Sequence, residues 1–122
     1  MTAKNKPGLS IRIDLPGGGR FGPGKAALLD AIAELGSLNK AAHELGMSYP
    51  RARKLVEEMN RDFQTPLVLS SQGGADGGGS RLSDAGQELR DLYHQLCKRS
   101  LAHNEALLAR IGQVTNQAPV PK

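Results

Sequence analysis

The sequence predicts a mainly α-helical fold with a small β-hairpin, followed by a long C-terminal helix. Three observations predict it. Residues 41–55 contain two helix patterns separated by Gly46, with small or apolar residues where two crossing helices must touch. Residues 66–82 contain two strand patterns around a glycine-rich tip, and residues 83–114 return to a helical pattern. Together these elements predict a winged helix-turn-helix with a long helix after it.

The ends of the chain differ in composition from its middle. Residues 1–8 and 115–122 are polar and contain proline, which predicts frayed tails. Residues 9–15 alternate apolar and polar side chains, as a half-buried strand does, and residues 16–19 (PGGG) end that strand. We expect this strand to pair with the wing and to open a DNA-binding domain spanning residues 9–82.

The first two helices are predicted by apolar spacing and by the residues at their ends. A helix beginning near Pro23 carries one apolar face as far as Gly36, and Ser37 then caps a second helix. Ala42 must be small because the third helix crosses over it closely. The inward-facing residues are Leu28, Ala31, Ile32 and Leu35 in the first helix, and Leu38, Ala41, Ala42 and Leu45 in the second.

The third helix has the pattern of a recognition helix. Gly46 fits the left-handed backbone position between the two helices, Ser48 can cap the third, and Pro50 is tolerated in its first turn. Its predicted buried face comprises Ala52, Leu55, Val56 and Met59. Its basic residues lie away from that face, as expected of a helix that enters the major groove of DNA.

The wing and the last helix follow. Residues 66–71 and 80–82 form the predicted wing strands, with residues 72–79 as the tip. Ser83 can cap a helix that continues to about Val114 and extends past the core of three short helices. Its apolar stripe therefore needs a second surface, most simply a second copy of the chain, which predicts a homodimer. The predicted dimerisation residues are Leu89, Leu92, Tyr93, Leu96, Leu101, Leu108 and Ile111.

Composition agrees with a nucleic-acid partner and excludes several other classes. The chain of 122 residues has a formal net charge of +4, which favours a polyanionic partner. A single cysteine, Cys97, excludes an intramolecular disulfide. The sequence has no apolar run long enough to span a bilayer and no signal-peptide core. We therefore expect a cytoplasmic protein with no membrane partner.

Several short blocks of the sequence resemble one family. They are GSLNKAA at 36–42, LGMSY at 45–49, LVEEMN at 55–60, PLV at 66–68, the glycines at 73–74 and 77–79, and LSxxGxxLxxxY at 82–93. Over residues 9–97 the sequence resembles the N-terminal DNA-binding domain of ModE-type molybdate-dependent regulators. It is loosely similar to the winged helix of LysR-type regulators. The resemblance implies a DNA-binding transcriptional regulator.

Two departures from that family bear on function. The sequence ends where the family's C-terminal oxyanion-binding domains would begin, so no molybdate ligand is expected in it. Arg53 stands where the recognition helix of the family usually has an aromatic residue, which affects the operator sequence more than DNA binding itself.

Three groups of residues are candidates for contact with double-stranded DNA. They are Ser48, Tyr49, Arg51, Arg53 and Lys54 in the recognition helix; Ser37, Asn39 and Lys40 at the start of the second helix; and Gly77, Gly78, Gly79 and Arg81 in the wing. Either recognition-helix arginine can bind guanine through two hydrogen bonds, while Lys54 suits a phosphate. The alternatives are a solvated helix face for the first two groups and a hairpin tip without a partner for the third.

Neither a catalytic site nor a metal or cofactor site is predicted. His94 and Cys97 stand three residues apart on one helix, but two ligands do not make a metal site, and only His43 and His103 could add to them. The glycine-rich tip lacks the Gly-Lys-Ser/Thr ending of a nucleotide-binding loop. No nucleophile lies in a recognisable motif, so we do not expect an enzyme.

Three functions are therefore open at the level of sequence. The first is a sequence-specific dimeric regulator that places two recognition helices in successive major grooves of a palindromic operator. The second is an architectural DNA binder with little preference for sequence. The third is a winged-helix interaction module whose sensor is supplied by a partner protein.

Overall fold

The computed structural model describes residues 7–71 and 79–115. Its elements are β1 (Ile13–Asp14), β2 (Arg20–Phe21), α1 (Pro23–Leu35), α2 (Leu38–Glu44), α3 (Tyr49–Asp62), β3 (Val68–Ser70), β4 (Ser80–Leu82), α4 (Asp84–His103) and α5 (Glu105–Val114). The strands form two separate antiparallel hairpins, β1–β2 and β3–β4. Among the described residues, no helix is long and apolar enough to cross a membrane.

Helices α1, α2 and α3 form the core, and their ends follow the predicted capping chemistry. Gly36 and Gly46 both have φ of 69°, the left-handed conformation that glycine adopts at little cost. The Ser37 hydroxyl accepts a hydrogen bond from the Lys40 N–H at 3.1 Å, and the Ser48 hydroxyl accepts one from the Arg51 N–H at 3.2 Å. The predicted starts of these helices are therefore confirmed.

The interior is aliphatic with few aromatic rings. Ala42 is buried where α2 and α3 pack together, which confirms the need for a small residue there. The largest fully buried side chains are Phe21, Leu28, Leu29, Ile32, Met59 and Leu67. The predicted buried face of α3, comprising Ala52, Leu55, Val56 and Met59, is confirmed.

The predicted pairing of the first strand is wrong. Only Ile13 and Asp14 are extended into a strand, and they pair with Phe21 and Arg20 rather than with the wing. The PGGG turn is the reason, because it reverses the chain within a few residues: the Leu15 carbonyl accepts from the Gly18 N–H at 3.0 Å. A local hairpin forms with less loss of chain entropy than pairing with a distant strand.

The wing hairpin β3–β4 is confirmed, although β3 is shorter than the predicted 66–71. Asn60, at the end of α3, holds its first strand. The Asn60 side-chain oxygen accepts from the N–H groups of Leu67 and Val68 at 2.8 and 3.1 Å, and its amide donates to the Val68 carbonyl at 3.1 Å. On the second strand, the Ser80 N–H donates to the carbonyl of Gly36 at 3.0 Å. The wing base is thus fixed to both α1 and α3.

Helix α4 packs tightly against the base of the wing. The Ser83 hydroxyl donates to the Pro66 carbonyl at 2.6 Å and accepts from the Gly86 N–H at 3.1 Å. Gly86 is buried against β3: a Cβ there would overlap the Leu67 carbonyl oxygen and lie 3.2 Å from its carbonyl carbon. Glycine at this position is what allows the helix to approach the strand so closely.

The predicted single helix over residues 83–114 is also corrected, because it breaks at Asn104. The Asn104 N–H and side-chain amide both donate to the Ser100 carbonyl, at 3.1 and 2.8 Å. An asparagine side chain that bonds to nearby backbone competes with continued helix. Helix α5 then begins at Glu105, so the C-terminal part consists of two consecutive helices rather than one.

Two contacts that sequence reasoning missed attach α4 to the N-terminal half. The Tyr93 ring packs edge-on against Phe21 with centroids 5.1 Å apart, and its hydroxyl donates to the Ile11 carbonyl at 2.6 Å. The Asp30 carboxylate accepts from Arg90 Nε at 2.6 Å and lies 2.9 Å from His94 Nε2. These contacts join residues sixty or more positions apart, which no local pattern can reveal.

Tyr93 makes the fold less stable at strongly alkaline pH. Burial, and then the hydrogen bond and charge of Cys97, raise the pKa of Tyr93 from 10.0 to about 12. Because the folded pKa is raised, its stabilising contribution is complete below pH 10 and is lost as pH rises towards 12. We expect the unfolding free energy of the unmodified chain to fall by at most about 2 kcal/mol more than that of Tyr93→Phe over this interval.

Urea unfolding at a series of alkaline pH values measures this difference. The exposed Tyr49 supplies the control, since Tyr49→Phe should keep the full pH dependence. If the free energy of unfolding fell equally steeply with pH in the unmodified chain and in Tyr93→Phe, the prediction would be contradicted.

Candidate DNA-binding surface

Helix α3 presents the predicted recognition residues to solvent. Tyr49, Arg51, Arg53 and Lys54 are all exposed, and so is Ser48 just before the helix. They are not equivalent, because Arg53 Nε lies 3.3 Å from the Glu57 carboxylate one turn further on. Within residues 7–71 and 79–115, no ion pair involves Arg51 or Lys54. Arg51 is therefore the arginine most available for two hydrogen bonds to a base.

The start of α2 lies beside the base of the wing. Asn39 and Lys40 are exposed, and the Ser37 hydroxyl is occupied by its cap on the Lys40 N–H. A Cβ on Gly79 would lie 3.0 Å from the carbonyl of Gly36, the residue directly before that cap. The structure therefore brings two of the three predicted groups together, the α2 start and the wing.

Only two of the four predicted wing residues belong to the described part of the chain. Gly77 and Gly78 lie outside the described residues, whereas Gly79 and Arg81 lie within them. The Gly79 N–H donates to the Ser71 hydroxyl at 3.1 Å and is thus already occupied. Arg81 is exposed on β4, opposite Leu69 of β3, with its side chain free to extend from the hairpin.

The residues considered for metal binding have other roles here. His94 contacts the Asp30 carboxylate, and Cys97 packs half-buried against the core beside Tyr93. Within the described ranges, no cluster of three or more histidine, cysteine or acidic side chains is placed to hold a metal ion. The two residues contribute to the packing of α4.

The predicted dimerisation stripe is only partly exposed. Tyr93 and Leu108 are buried within a single copy, and Leu89 packs against the core. The prediction that these three residues form the dimer interface is therefore wrong. Leu101 stands nine residues after Leu92, two and a half helical turns, which places the two on opposite sides of α4. The predicted residues that stay exposed are Leu92, Leu96, Leu101 and Ile111.

Helix α5 adds exposed apolar residues that the sequence analysis missed. Leu107 and Val114 recur at helical spacing with the predicted Ile111 between them, and the exposed fractions of Leu107, Ile111 and Val114 are 65%, 49% and 65%. Leu108 and Gly112 are the buried residues of α5, whereas these three apolar residues are exposed. Counting the apolar spacing within residues 105–114 alone would have found this face.

The three-helix core with an exposed basic third helix, followed by a hairpin fixed beside it, defines the class of winged helix-turn-helix DNA-binding proteins. Residues 25–87, about half of the chain, match the family described as bacterial regulatory helix-turn-helix proteins, lysR family. The chain belongs to this family. The structural assignment and the sequence match therefore agree on the same segment of the chain.

Relatives of known description point the same way. The chain is 42% identical over 76 residues to the molybdenum-pterin-binding protein MopB of Rhodobacter capsulatus, covering 62% of this chain and 28% of that protein. It is 43% identical over 75 residues to the molybdenum transport protein ModE of Herbaspirillum seropedicae, with 62% and 28% covered. It is 38% identical over 76 residues to the DNA-binding transcriptional dual regulator ModE of Escherichia coli K12, with 62% and 29% covered.

A solved structure shares the fold. The crystal structure of ArgP from Mycobacterium tuberculosis superposes with a TM-score of 0.51 at 26% identity, over 70% of this chain and 29% of that one. The matched part is thus less than a third of the length of each of these proteins. What the likeness establishes is the DNA-binding fold that this part forms.

Proposed function

We propose that this chain is a sequence-specific transcriptional regulator that binds double-stranded DNA as a homodimer. One observation carries the proposal: the third helix is exposed and basic, and Arg51 forms no ion pair with any other residue that the structure describes. Such a helix enters the major groove and reads base edges. The wing and the start of α2, which lie side by side, then contact the flanking phosphates.

Dimerisation is supported by the exposed apolar residues of α4 and α5. Leu92, Leu96, Leu107 and Ile111 are large apolar side chains exposed to water, and exposed apolar residues recurring at helical spacing commonly mark an interface. A two-fold dimer would present two recognition helices to two half-sites about one helical turn of DNA apart. The expected operator is therefore palindromic.

Selection from genomic fragments with the purified chain at physiological salt tests this function. We expect one palindromic site to be enriched over several rounds. Even recovery of all fragments would instead favour an architectural DNA binder. Failure to recover DNA would favour an interaction module, and co-purification of a second chain would then identify a sensor partner. Because the relatives carry names connected with molybdenum, enrichment beside genes of molybdenum metabolism would extend that connection to this chain.

Substitutions in α3 separate base recognition from phosphate contact. Arg51→Ala should reduce discrimination between the selected site and unrelated DNA by about 1–3 kcal/mol, the value of a two-bond guanine contact. Arg53→Ala should have a smaller effect because Glu57 already holds that guanidinium at 3.3 Å. Lys54→Ala should weaken binding to all sequences alike. Binding is measured by fluorescence anisotropy on the selected site and on a scrambled duplex.

The matched control is Lys98→Ala. Lys98 is an exposed cation of α4, six residues after Leu92 and two after Leu96, and so lies away from the side of the helix that carries these leucines. The substitution removes one positive charge, as Arg51→Ala does, and should leave the discrimination between the selected site and unrelated DNA unchanged. If Arg51→Ala keeps the full discrimination of the unmodified chain, then α3 is not the recognition helix.

A further inference from the structure

A basic groove joins the N-terminal hairpin to the recognition helix. It has a volume of about 290 Å³ and lies between β1–β2, the start of α1 and the first turns of α3. Arg12 and Arg20 line it from the hairpin, Lys25 from α1 and Arg51 from α3. None of the hairpin residues belongs to the sequence match with the family, which begins at residue 25.

The four basic side chains differ in how they are held. Lys25 is mostly buried, pairs with the Glu58 carboxylate at 3.2 Å and donates to the Arg20 carbonyl at 2.8 Å. It therefore fixes the hairpin to α1 and α3. Arg12 pairs with Asp14 at 2.9 Å, but both side chains are more than half exposed, so water weakens that pair.

Arg20 and Arg51 are the two open cations of the groove. Neither takes part in an ion pair within the described part of the chain, and both are exposed. They approach the groove from different elements, one from β2 and one from α3. On the hairpin side, Arg20 has no carboxylate partner among the described residues and suits a phosphate oxygen, while Arg51 on the α3 side suits a base edge.

The backbone leaves room for such a ligand. Gly22 and Gly24 line the groove without side chains, and a Cβ on Gly22 would meet only the Arg12 side chain and Cα, at 3.6 Å or more. The N-cap of α1 is Gly22, which supplies no side-chain hydrogen bond. The positive end of α1 therefore adds to the field of the arginines rather than being neutralised by a capping carboxylate.

We propose that the hairpin side of this groove binds a phosphate of the DNA backbone through Arg20, next to the major groove that α3 enters, while Arg51 on the other side of the groove stays available for a base. The inference rests on the proposed function and extends the DNA-contacting surface to the N-terminal hairpin. The contact is with phosphate and carries no sequence information, so Arg20 positions the protein on DNA and does not select the base sequence.

The salt dependence of DNA binding tests this assignment. Kd is measured with the full chain on the selected site and on a scrambled duplex between about 50 and 300 mM NaCl. Arg20→Gln should weaken binding to both duplexes by the same factor, of the order of 5- to 10-fold. It should also reduce the slope of log K against log[NaCl] by about one, as loss of one phosphate contact does. Arg20→Lys should restore the slope.

Arg110→Gln is the matched control. Arg110 is an exposed residue of α5 whose guanidinium donates to Gln113 at 3.1 Å, so its substitution removes an equal charge away from the groove. Because Lys25 donates its hydrogen bond to the backbone carbonyl of Arg20, Arg20→Gln leaves that hydrogen bond intact. Thermal unfolding should confirm that both variants keep the stability of the unmodified chain.

The outcomes distinguish the inference from the function on which it rests. If Arg20→Gln matches Arg110→Gln in Kd and slope while Arg51→Ala loses discrimination, the groove assignment is wrong and the regulator stands. If the unmodified chain binds neither duplex, the proposed function fails and the inference fails with it. If inorganic phosphate titrated into the DNA-free chain binds at Arg20, while Arg20→Gln leaves DNA binding unchanged, the groove takes small anions and the DNA assignment is overturned.

Discussion

Replacing Gly86 by alanine is expected to lower the free energy of unfolding by about 2–3 kcal/mol, as overpacking of a rigid contact does. The added methyl group would overlap the carbonyl oxygen of Leu67. That oxygen cannot move away easily, because it accepts the Ser83 N–H at 2.9 Å and belongs to the strand held by Asn60. The cost is purely steric, since Gly86 lies inside a helix and needs no left-handed backbone.

Urea unfolding followed by circular dichroism measures the effect. Gly24→Ala is the control, because a Cβ at Gly24 meets nothing within 4 Å and alanine favours helix. That variant should be as stable as the unmodified chain or more so. A Gly86→Ala protein with an unchanged midpoint would show that α4 does not lie as close to β3 as described.

The second large effect concerns assembly. Leu92→Asp combined with Leu96→Asp is expected to raise the dimer dissociation constant by more than about 1,000-fold. Each buried leucine contributes about 1.5–3 kcal/mol, and a two-fold interface carries every change twice. Both side chains are about half exposed in the single chain, so the substitutions should not unfold it. Sedimentation equilibrium gives the constant directly.

Two companion variants locate the interface. Leu107→Asp with Ile111→Asp tests whether the exposed face of α5 takes part. Gln87→Asp with Ala102→Asp adds the same charge at exposed positions of α4 that lie away from the side carrying Leu92 and Leu96, and should leave the dimer intact. Dimers that survive both leucine pairs would place the contact on another surface or exclude the homodimer.

The helical core could be predicted from sequence because its determinants are local. Gly36, Ser37, Gly46 and Ser48 end or begin helices through hydrogen bonds with residues at most four positions away. The spacing of apolar residues then fixes which face is buried. The same local logic identified the recognition helix and its exposed basic residues, and the availability of Arg51 over Arg53 follows from an i, i+4 spacing to Glu57 that was already visible.

Other features depended on contacts between distant parts of the chain. The Asp30 contacts with α4 and the groove around Arg20 join elements whose relative positions only the folded chain defines. The pairing of β1 was different, because the PGGG turn that makes it a local hairpin could be seen in the sequence. The break at Asn104 was missed because asparagine is compatible with a continuous helix, although its side chain can also bond to the Ser100 carbonyl.

The bond between Tyr93 and Ile11 has a consequence for the order in which the protein forms during synthesis. Its two partners are 82 positions apart, so nearly the whole described chain must leave the ribosome before the N-terminal segment can be fixed. Until then Phe21, fully buried in the finished fold, lacks one of its two aromatic neighbours. The helix-turn-helix can form early from its local signals, whereas the N-terminal segment leading into the hairpin is fixed last, by the helix that also carries the exposed Leu92 and Leu96.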